Sequence, residues 1–389
     1  NGCIYISVRG QDVLKKAYNL SANAQNSLWV TNASQFDIHS VSKLMANSIL
    51  VKLQEDHKVK LTDTLSKYLP DFPNSNRITI DQLLHHSSGL PRELTNKPEN
   101  VLNLTPEEII AAASKEKLEF APGSSTLYSN VGYEVLYYLI GKITGKTFAQ
   151  CVKEYLFDPL HMNASGAHYY ISHANLKHPA LNHQLLDGLI TRVPNITPDE
   201  FPTARIYSTT GDLMLYLRSL HNEPFRSAMS DAQGVIQKNG GSDGIRAQIY
   251  TNTHLNYSFV LLSNYDEIPF QQTIGDLVSI MEGKPYQIPA EINRKATDVP
   301  INILKQYTGK YDFAEANHTQ MEFRVEGGKL VLYKNDEKLT DLFAESEMLF
   351  FEDAKSSESF EFKPDGSSWE ITWTYQGVKF KGLKMSADR

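Results

Sequence analysis

Apolar residues recur at helical spacing through Val41, Leu44, Met45, Ile49, Leu50 and Leu53. That period predicts a helix that buries a broad stripe and opens near Ser40. Phe36-Asp37-Ile38-His39 reads as its short extended lead-in. Residues 3–9 and 12–18 alternate or run apolar around Arg9-Gly10-Gln11-Asp12, the pattern of a β-hairpin. Thr79-x-x-Gln82, Thr105-Pro106-Glu107-Glu108 and Thr147-x-x-Gln150 are capping boxes, each opening a helix. Further helices are predicted over about 131–143, from Ser208-Thr209-Thr210 to about Leu220, and over Phe270–Met281. From Gly234 the period shortens to that of strands: 235–238, 245–250 and 257–263, with Gly240-Gly241 read as a tight turn or bulge.

Strands first, helices next and strands again describe an α+β fold. An antiparallel sheet is built from both ends of the domain and flanked by helices, with a helical region inserted. The predicted domain spans 1–285. Pro285, Pro289 and Pro300 mark a linker at 286–300. Residues 301–389 read as all-β, with short strands at 321–325, 329–333, 348–351, 360–363, 369–375 and 378–383. Glu326-Gly327-Gly328 and Pro364-Asp365-Gly366-Ser367 are hairpin turns between them, so a small barrel or meander is expected.

Composition narrows the function classes. At 389 residues, with 41% hydrophobic and 21% charged positions, the chain can bury two cores. A net charge of -7 with scattered basic residues argues against a nucleic-acid partner. No window of 18 apolar residues is present, so no transmembrane helix is expected. The chain begins at Asn1 rather than Met, which reads as a processed product. Cys3 and Cys151 make neither a disulfide scaffold nor a metal site and read as small buried hydrophobes.

Candidate chemistry starts at Ser40 and Lys43, neighbours on the first helical turn. A serine hydroxyl needs a base to take its proton, and an amine one turn away can serve. The unpaired amides of the helix N-terminus favour negative charge beside it. Ser114-x-x-Lys117 repeats the spacing at a charged surface helix end and reads as solvated. His85-His86 lacks a set of partners at ligand spacing and reads as packing, as does His39.

Ser40-x-x-Lys43, Tyr128-Ser129-Asn130 and Lys238-Asn239-Gly240-Gly241 follow one another in order. Together with Tyr68-Leu69-Pro70, His86-x-Ser88-Gly89-Leu90, Pro122-Gly123 and Phe157-Asp158-Pro159-Leu160 they resemble the serine β-lactamase and penicillin-binding protein superfamily. The Tyr-x-Asn element is similar to the class C β-lactamase-like branch, which also holds DD-peptidases, D-aminopeptidases and esterases. The likeness covers residues 3–285 and implies a β-lactamase/transpeptidase-like fold. Tyr333-Lys334-Asn335 also matches Tyr-x-Asn but falls in a β-hairpin of the C-terminal region and reads as structural.

The resemblance implies Ser40 as acylating nucleophile, with Lys43 lowered by burial and by the Lys238 charge. It leaves open whether Lys43 or Tyr128 is the first base. Asn130 would orient Lys43 and the substrate amide, and Lys238 would attract a substrate carboxylate. Ser40 and Gly241 amides would form the oxyanion hole, with Asn239 and Gly240 lining the substrate side. Asn239 stands where β-lactamases carry Thr, and the helix that usually precedes the first strand is absent. A small-molecule or peptide substrate is implied, such as a β-lactam or a peptidoglycan fragment, with no cofactor and no metal. An esterase, a D-aminopeptidase, or a penicillin-binding sensor or scaffold with little turnover are the rival readings. The C-terminal domain would stabilise the fold, wall the site or mediate dimerisation. The resemblance also implies a periplasmic or extracytoplasmic setting.

Overall fold

Both ends of the first unit meet in one antiparallel sheet of order β2-β1-β10-β9-β8. Its strands are β1 (Gly2–Val8), β2 (Gln11–Tyr18), β8 (Val235–Ser242), β9 (Ile245–Asn252) and β10 (Tyr257–Ser263). The register pairs Cys3 with Leu262 and Lys238 with Ile249. The computed structural model describes residues 1–20, 29–168, 176–186, 188–203, 205–316, 318–366 and 368–385. By contacts these fall into two units, 1–182 with 192–265, and 183–191 with 266–389. The division comes before the 286–300 segment predicted as the linker. Glu267 accepts from Ser356 and Ser357, and the Gln272 N–H donates to Gln376, so these residues bond within the second unit.

Between the strands of the first unit lie the helices. They are α1 (Val41–Glu55), α2 (Ile80–Leu84), α3 (Pro106–Ala113), α4 (Asn130–Thr144), α5 (Phe148–Val152), α6 (Thr210–Ser219) and α7 (Phe225–Met229). The boxes at Thr79, Thr105 and Thr147 all form, each with side chain and backbone bonded reciprocally. Gly145 ends α4 in the left-handed conformation, φ +68°. The apolar stripe of α1 is fully buried: Val41, Met45, Ala46, Ile49, Leu50 and Leu53 are each 0% exposed. A three-stranded sheet holds β3 (Phe36–Asp37), β7 (Arg205–Ser208) and β4 (Gly166–His168), in that order. It fixes the lead-in to α1.

In the second unit, β5 (His183–Leu186) pairs as a hairpin with β6 (Leu189–Arg192), whose last residue falls in the first unit, and α8 runs Phe270–Met281. Eight strands then close a barrel: β11 (Gly309–Phe313), β12 (Thr319–Glu326), β13 (Lys329–Lys334), β14 (Glu337–Ala344), β15 (Leu349–Phe351), β16 (Ser359–Asp365), β17 (Ser368–Tyr375) and β18 (Val378–Lys384). Closure pairs β11 with β18 and leaves the barrel no free edge. Its interior is aromatic, with Phe313, Phe323 and Phe362 each 0% exposed.

Candidate active site

The nucleophile turn is built by a short strand and a forced bend. Asp37 pairs with Tyr207 of β7, and the His39 N–H donates back to Asp37 Oδ1 at 3.0 Å. His39 takes φ +44°, a conformation rare outside glycine, and so turns the chain sharply into α1. Ser40 is the N-cap of that helix, yet its side chain makes no capping bond. Its oxygen is given to side chains instead. Ser40 Oγ accepts from Lys43 Nζ at 3.2 Å and from the Tyr128 hydroxyl at 2.8 Å. The first two motifs therefore meet on one oxygen.

Tyr128 is aligned by the segment that carries His86. The Leu127 N–H donates to the His86 carbonyl at 2.9 Å, and the Ser129 N–H to His86 Nδ1 at 3.1 Å. The imidazole itself lies 4.4 Å from the Tyr128 ring, centroid to centroid. His86 thus holds the residues on either side of Tyr128 and packs on its ring. Burial, with Lys238 and Lys43 adding, pushes His86 down to about 3, so the ring stays neutral and Nδ1 stays an acceptor. His85 turns away to pair with Asp81 and is exposed. Among the described residues no group of three or more His, Cys, Asp or Glu could hold a metal ion.

Asn130 opens α4, and its position differs from the expected one. Its Nδ2 donates to Glu93 Oε1 at 2.6 Å, and no hydrogen bond joins it to Lys43 among the described residues. The backbone explains the pairing, because the Asn130 N–H donates to the Arg92 carbonyl at 2.9 Å and ties α4 to the 91–93 segment. Glu134, one turn further along α4, lines the same cleft.

The third motif lies within β8. The strand runs unbroken through Gly240-Gly241 to Ser242, and the turn falls at Asp243-Gly244, where Gly244 has φ +73°. The glycine at 240 answers a close approach rather than a bend. A Cβ there would stand 2.3 Å from the Ile38 carbonyl oxygen and 2.8 Å from the Ser40 nitrogen. Ser40 N–H has no acceptor among the described residues. Lys238 Nζ sits 5.0 Å from the Tyr128 ring centroid; Lys43 Nζ at 5.3 Å and Arg92 Cζ at 5.2 Å also face that ring. Asn239 and Gly241 are exposed, on the strand face opposite Lys238 and Gly240.

Lys43 is 7% exposed. Burial pushes its amine down to about 8, against the pull of Glu134 and Glu93, and Arg92 adds to the fall. Arg92 is a cation acting on it that was not expected, and the expected repulsion between Lys43 and Lys238 is present as well. Lys238 is itself lowered by burial and, among its charged neighbours, by Lys43. Burial raises the Glu134 carboxyl to about 7, opposed by Thr203 and Lys43. His39 is lowered to about 4 by burial and stays neutral. A cleft of about 210 Å³ opens beside Ser40, Lys43, Asn130 and Gly241, bounded by Glu93, Glu134 and Glu200.

The arrangement joins a hydroxyl, a buried amine with lowered basicity, a phenol and a strand edge around one oxygen. The family described as Beta-lactamase matches residues 2–268. This chain belongs to the β-lactamase family. The Bacillus subtilis (strain 168) protein PbpX is 26% identical over 238 residues, 61% of this chain and 57% of its own length. The chain thus spans little more than half of that relative. The octameric penicillin-binding protein homologue from Pyrococcus abyssi shares the fold at TM-score 0.61 and 20% identity, over 98% of this chain and 95% of that one. A class C β-lactamase is similar at TM-score 0.56 and 18% identity, over 68% of this chain and 87% of its own. The Pyrococcus abyssi likeness, over nearly the whole chain, agrees with the α+β fold and the added C-terminal domain; the other two cover about two thirds of the chain.

His86 was read as a packing residue; Arg92, Glu93 and Glu134 are the site's neighbours that sequence reasoning did not single out. Glu134 had a signal, since it follows Asn130 by four residues on one helix and so shares its face. The others stand on irregular backbone without a period.

Proposed function

We propose that this β-lactamase-family protein is a serine hydrolase working through a Ser40 acyl-enzyme on a β-lactam or a D-amino-acid-containing peptide. The observation that carries the reading is Ser40 Oγ held between Lys43 Nζ at 3.2 Å and the Tyr128 hydroxyl at 2.8 Å. Ser40 Oγ adds to the carbonyl carbon while its proton passes to neutral Lys43. The lowered Lys43 supports that amine as the first base. The carbonyl oxygen becomes an oxyanion facing the N–H groups of Ser40 and Gly241. Collapse expels the leaving group, which takes its proton by way of Tyr128. Water then attacks the acyl ester, giving its proton along the same route, and Ser40 is restored.

Lys238 and the exposed Asn239 supply a cation and an amide donor for a substrate carboxylate. A carboxylate-bearing β-lactam or peptidoglycan fragment is the partner this reading implies, met outside the cytoplasm. Asn130, bonded to Glu93, orients the substrate amide rather than Lys43.

The test is a panel of a penicillin, a D-Ala-D-Ala peptide and p-nitrophenyl acetate, each with the wild type and with Lys238→Ala. The proposal expects Ser40-dependent turnover of the penicillin or the peptide, with kcat/KM falling about tenfold or more without the lysine. Hydrolysis of the ester alone, indifferent to Lys238→Ala, would move the protein to the esterases.

A further inference from the structure

The two oxyanion donors come from separate elements, Ser40 from the turn between β3 and α1 and Gly241 from β8. Both must aim at one oxygen, and one cation spans the gap between their supports. Arg205 of β7, 5% exposed, donates from Nη2 to Asp37 Oδ2 and from Nη1 to Glu200 Oε2. Asp37 uses its other oxygen to accept the N–H of His39, the residue before the nucleophile, at 3.0 Å. Glu200 uses its other oxygen to accept from the hydroxyl of Ser242, the residue after Gly241, at 3.0 Å. Each carboxylate thus holds Arg205 with one oxygen and an oxyanion segment with the other.

The surrounding loop repeats the bracing. Arg205 Nη2 reaches the Asn195 carbonyl at 3.4 Å, and Asn195 Oδ1 accepts the Asn182 N–H at 3.1 Å. Asn182 Nδ2 then donates to the Asp243 carbonyl, one residue beyond Ser242, at 2.9 Å. A planar guanidinium holds its donors on fixed axes and so sets the two carboxylates at a fixed separation and angle, whereas an ammonium is a compact point charge on a flexible stem.

We propose that Arg205 is a positioning residue that sets the oxyanion hole by clamping the Ser40 turn to the Gly241 strand through Asp37 and Glu200. The kinetic side of this proposal rests on the acyl-serine reading; the mechanical side stands on the bonds themselves. A buried ion pair that only stabilised the fold would lower stability without separating binding from chemistry.

The experiment compares the full-length wild type with Arg205→Lys and Arg205→Met; the lysine variant carries the test should the methionine variant not fold. Steady-state hydrolysis of p-nitrophenyl acetate is read beside hydrogen exchange of segments 36–42, 239–244 and 257–263. The expected result is a kcat lower by about 100-fold, with KM within about threefold. Segments 36–42 and 239–244 exchange faster together, while β10 is unchanged. A kcat within about threefold of wild type, faster exchange in only one of the two segments or in neither, or equal loosening of β10 overturns the clamp. If the wild type shows no Ser40-dependent turnover, the acyl-serine reading fails, and the exchange pattern still decides for or against Arg205.

Discussion

Replacing Lys43 with methionine lowers the rate of Ser40 acylation by about 10³- to 10⁴-fold, with the fold intact. Methionine keeps the length and apolar stem of lysine in a site that is 7% exposed, so packing survives and the base is lost. The wild-type pH profile gives the companion result. Only neutral Lys43 can take the serine proton, and its amine is lowered to about 8. Acylation therefore rises about tenfold per pH unit below that value and flattens above it. The groups that set the midpoint are Glu134 and Glu93, which hold the proton on, and Arg92, which helps it off. The rings of Tyr128 and Tyr133 stand 5.3 and 5.4 Å from Nζ, and Lys238 faces Tyr128 from its own strand. Glu134→Gln removes an anion near Lys43, so the rising limb moves to lower pH. Stopped-flow acylation between pH 6 and 10 checks both; a flat profile or an unshifted limb would remove Lys43 from the role of base.

Gly240→Ala costs acylation at least about 100-fold although it adds one carbon. The new Cβ would lie 2.3 Å from the Ile38 carbonyl oxygen, 2.8 Å from the Ser40 nitrogen and 3.1 Å from the Val41 nitrogen. All three are backbone atoms, so no side chain can swing aside. Either β8 or the nucleophile turn must move, and both carry a proposed oxyanion donor. Gly275→Ala is the matched control: its Cβ meets nothing within 4 Å on α8, and rates should stay at the wild-type value. Single-turnover acylation of both variants measures the difference. Equal rates in Gly240→Ala and wild type would mean that the close approach of β8 to Ser40 has no part in the chemistry.

The elements that sequence reasoning found were those with a local cause. The α1 stripe has a period, and the capping boxes at Thr79, Thr105 and Thr147 carry their own bonding partners. The Ser40, Lys43 and Tyr128 constellation was legible through the resemblance of its ordered motifs to the serine β-lactamase and penicillin-binding protein superfamily, since Ser-x-x-Lys and Tyr-x-Asn each recur elsewhere in the chain. Gly240-Gly241 misled because glycine signals either a turn or a close backbone approach, and only the fold shows which. Two barrel strands, Gly309–Phe313 and Glu337–Ala344, were not predicted. The second opens Glu337-Lys338-Leu339, all exposed, so it lacks the apolar alternation that marks a half-buried strand. Arg205 gave no signal at all, since Asp37 lies 168 residues away in the chain. The Asn130 pairing with Glu93 was hidden for the same reason, an irregular segment brought in by the fold.

The most direct measurement is intact-protein mass followed over time after adding a fluorescent penicillin, with Ser40→Ala in parallel. The account predicts one covalent adduct per chain, mapped to Ser40 and absent from Ser40→Ala. Its persistence would mark slow deacylation, and its decay with product release would mark turnover. An adduct that forms equally on Ser40→Ala, or no Ser40-dependent adduct with penicillin, ester or D-amino-acid substrate, would contradict the acyl-serine mechanism.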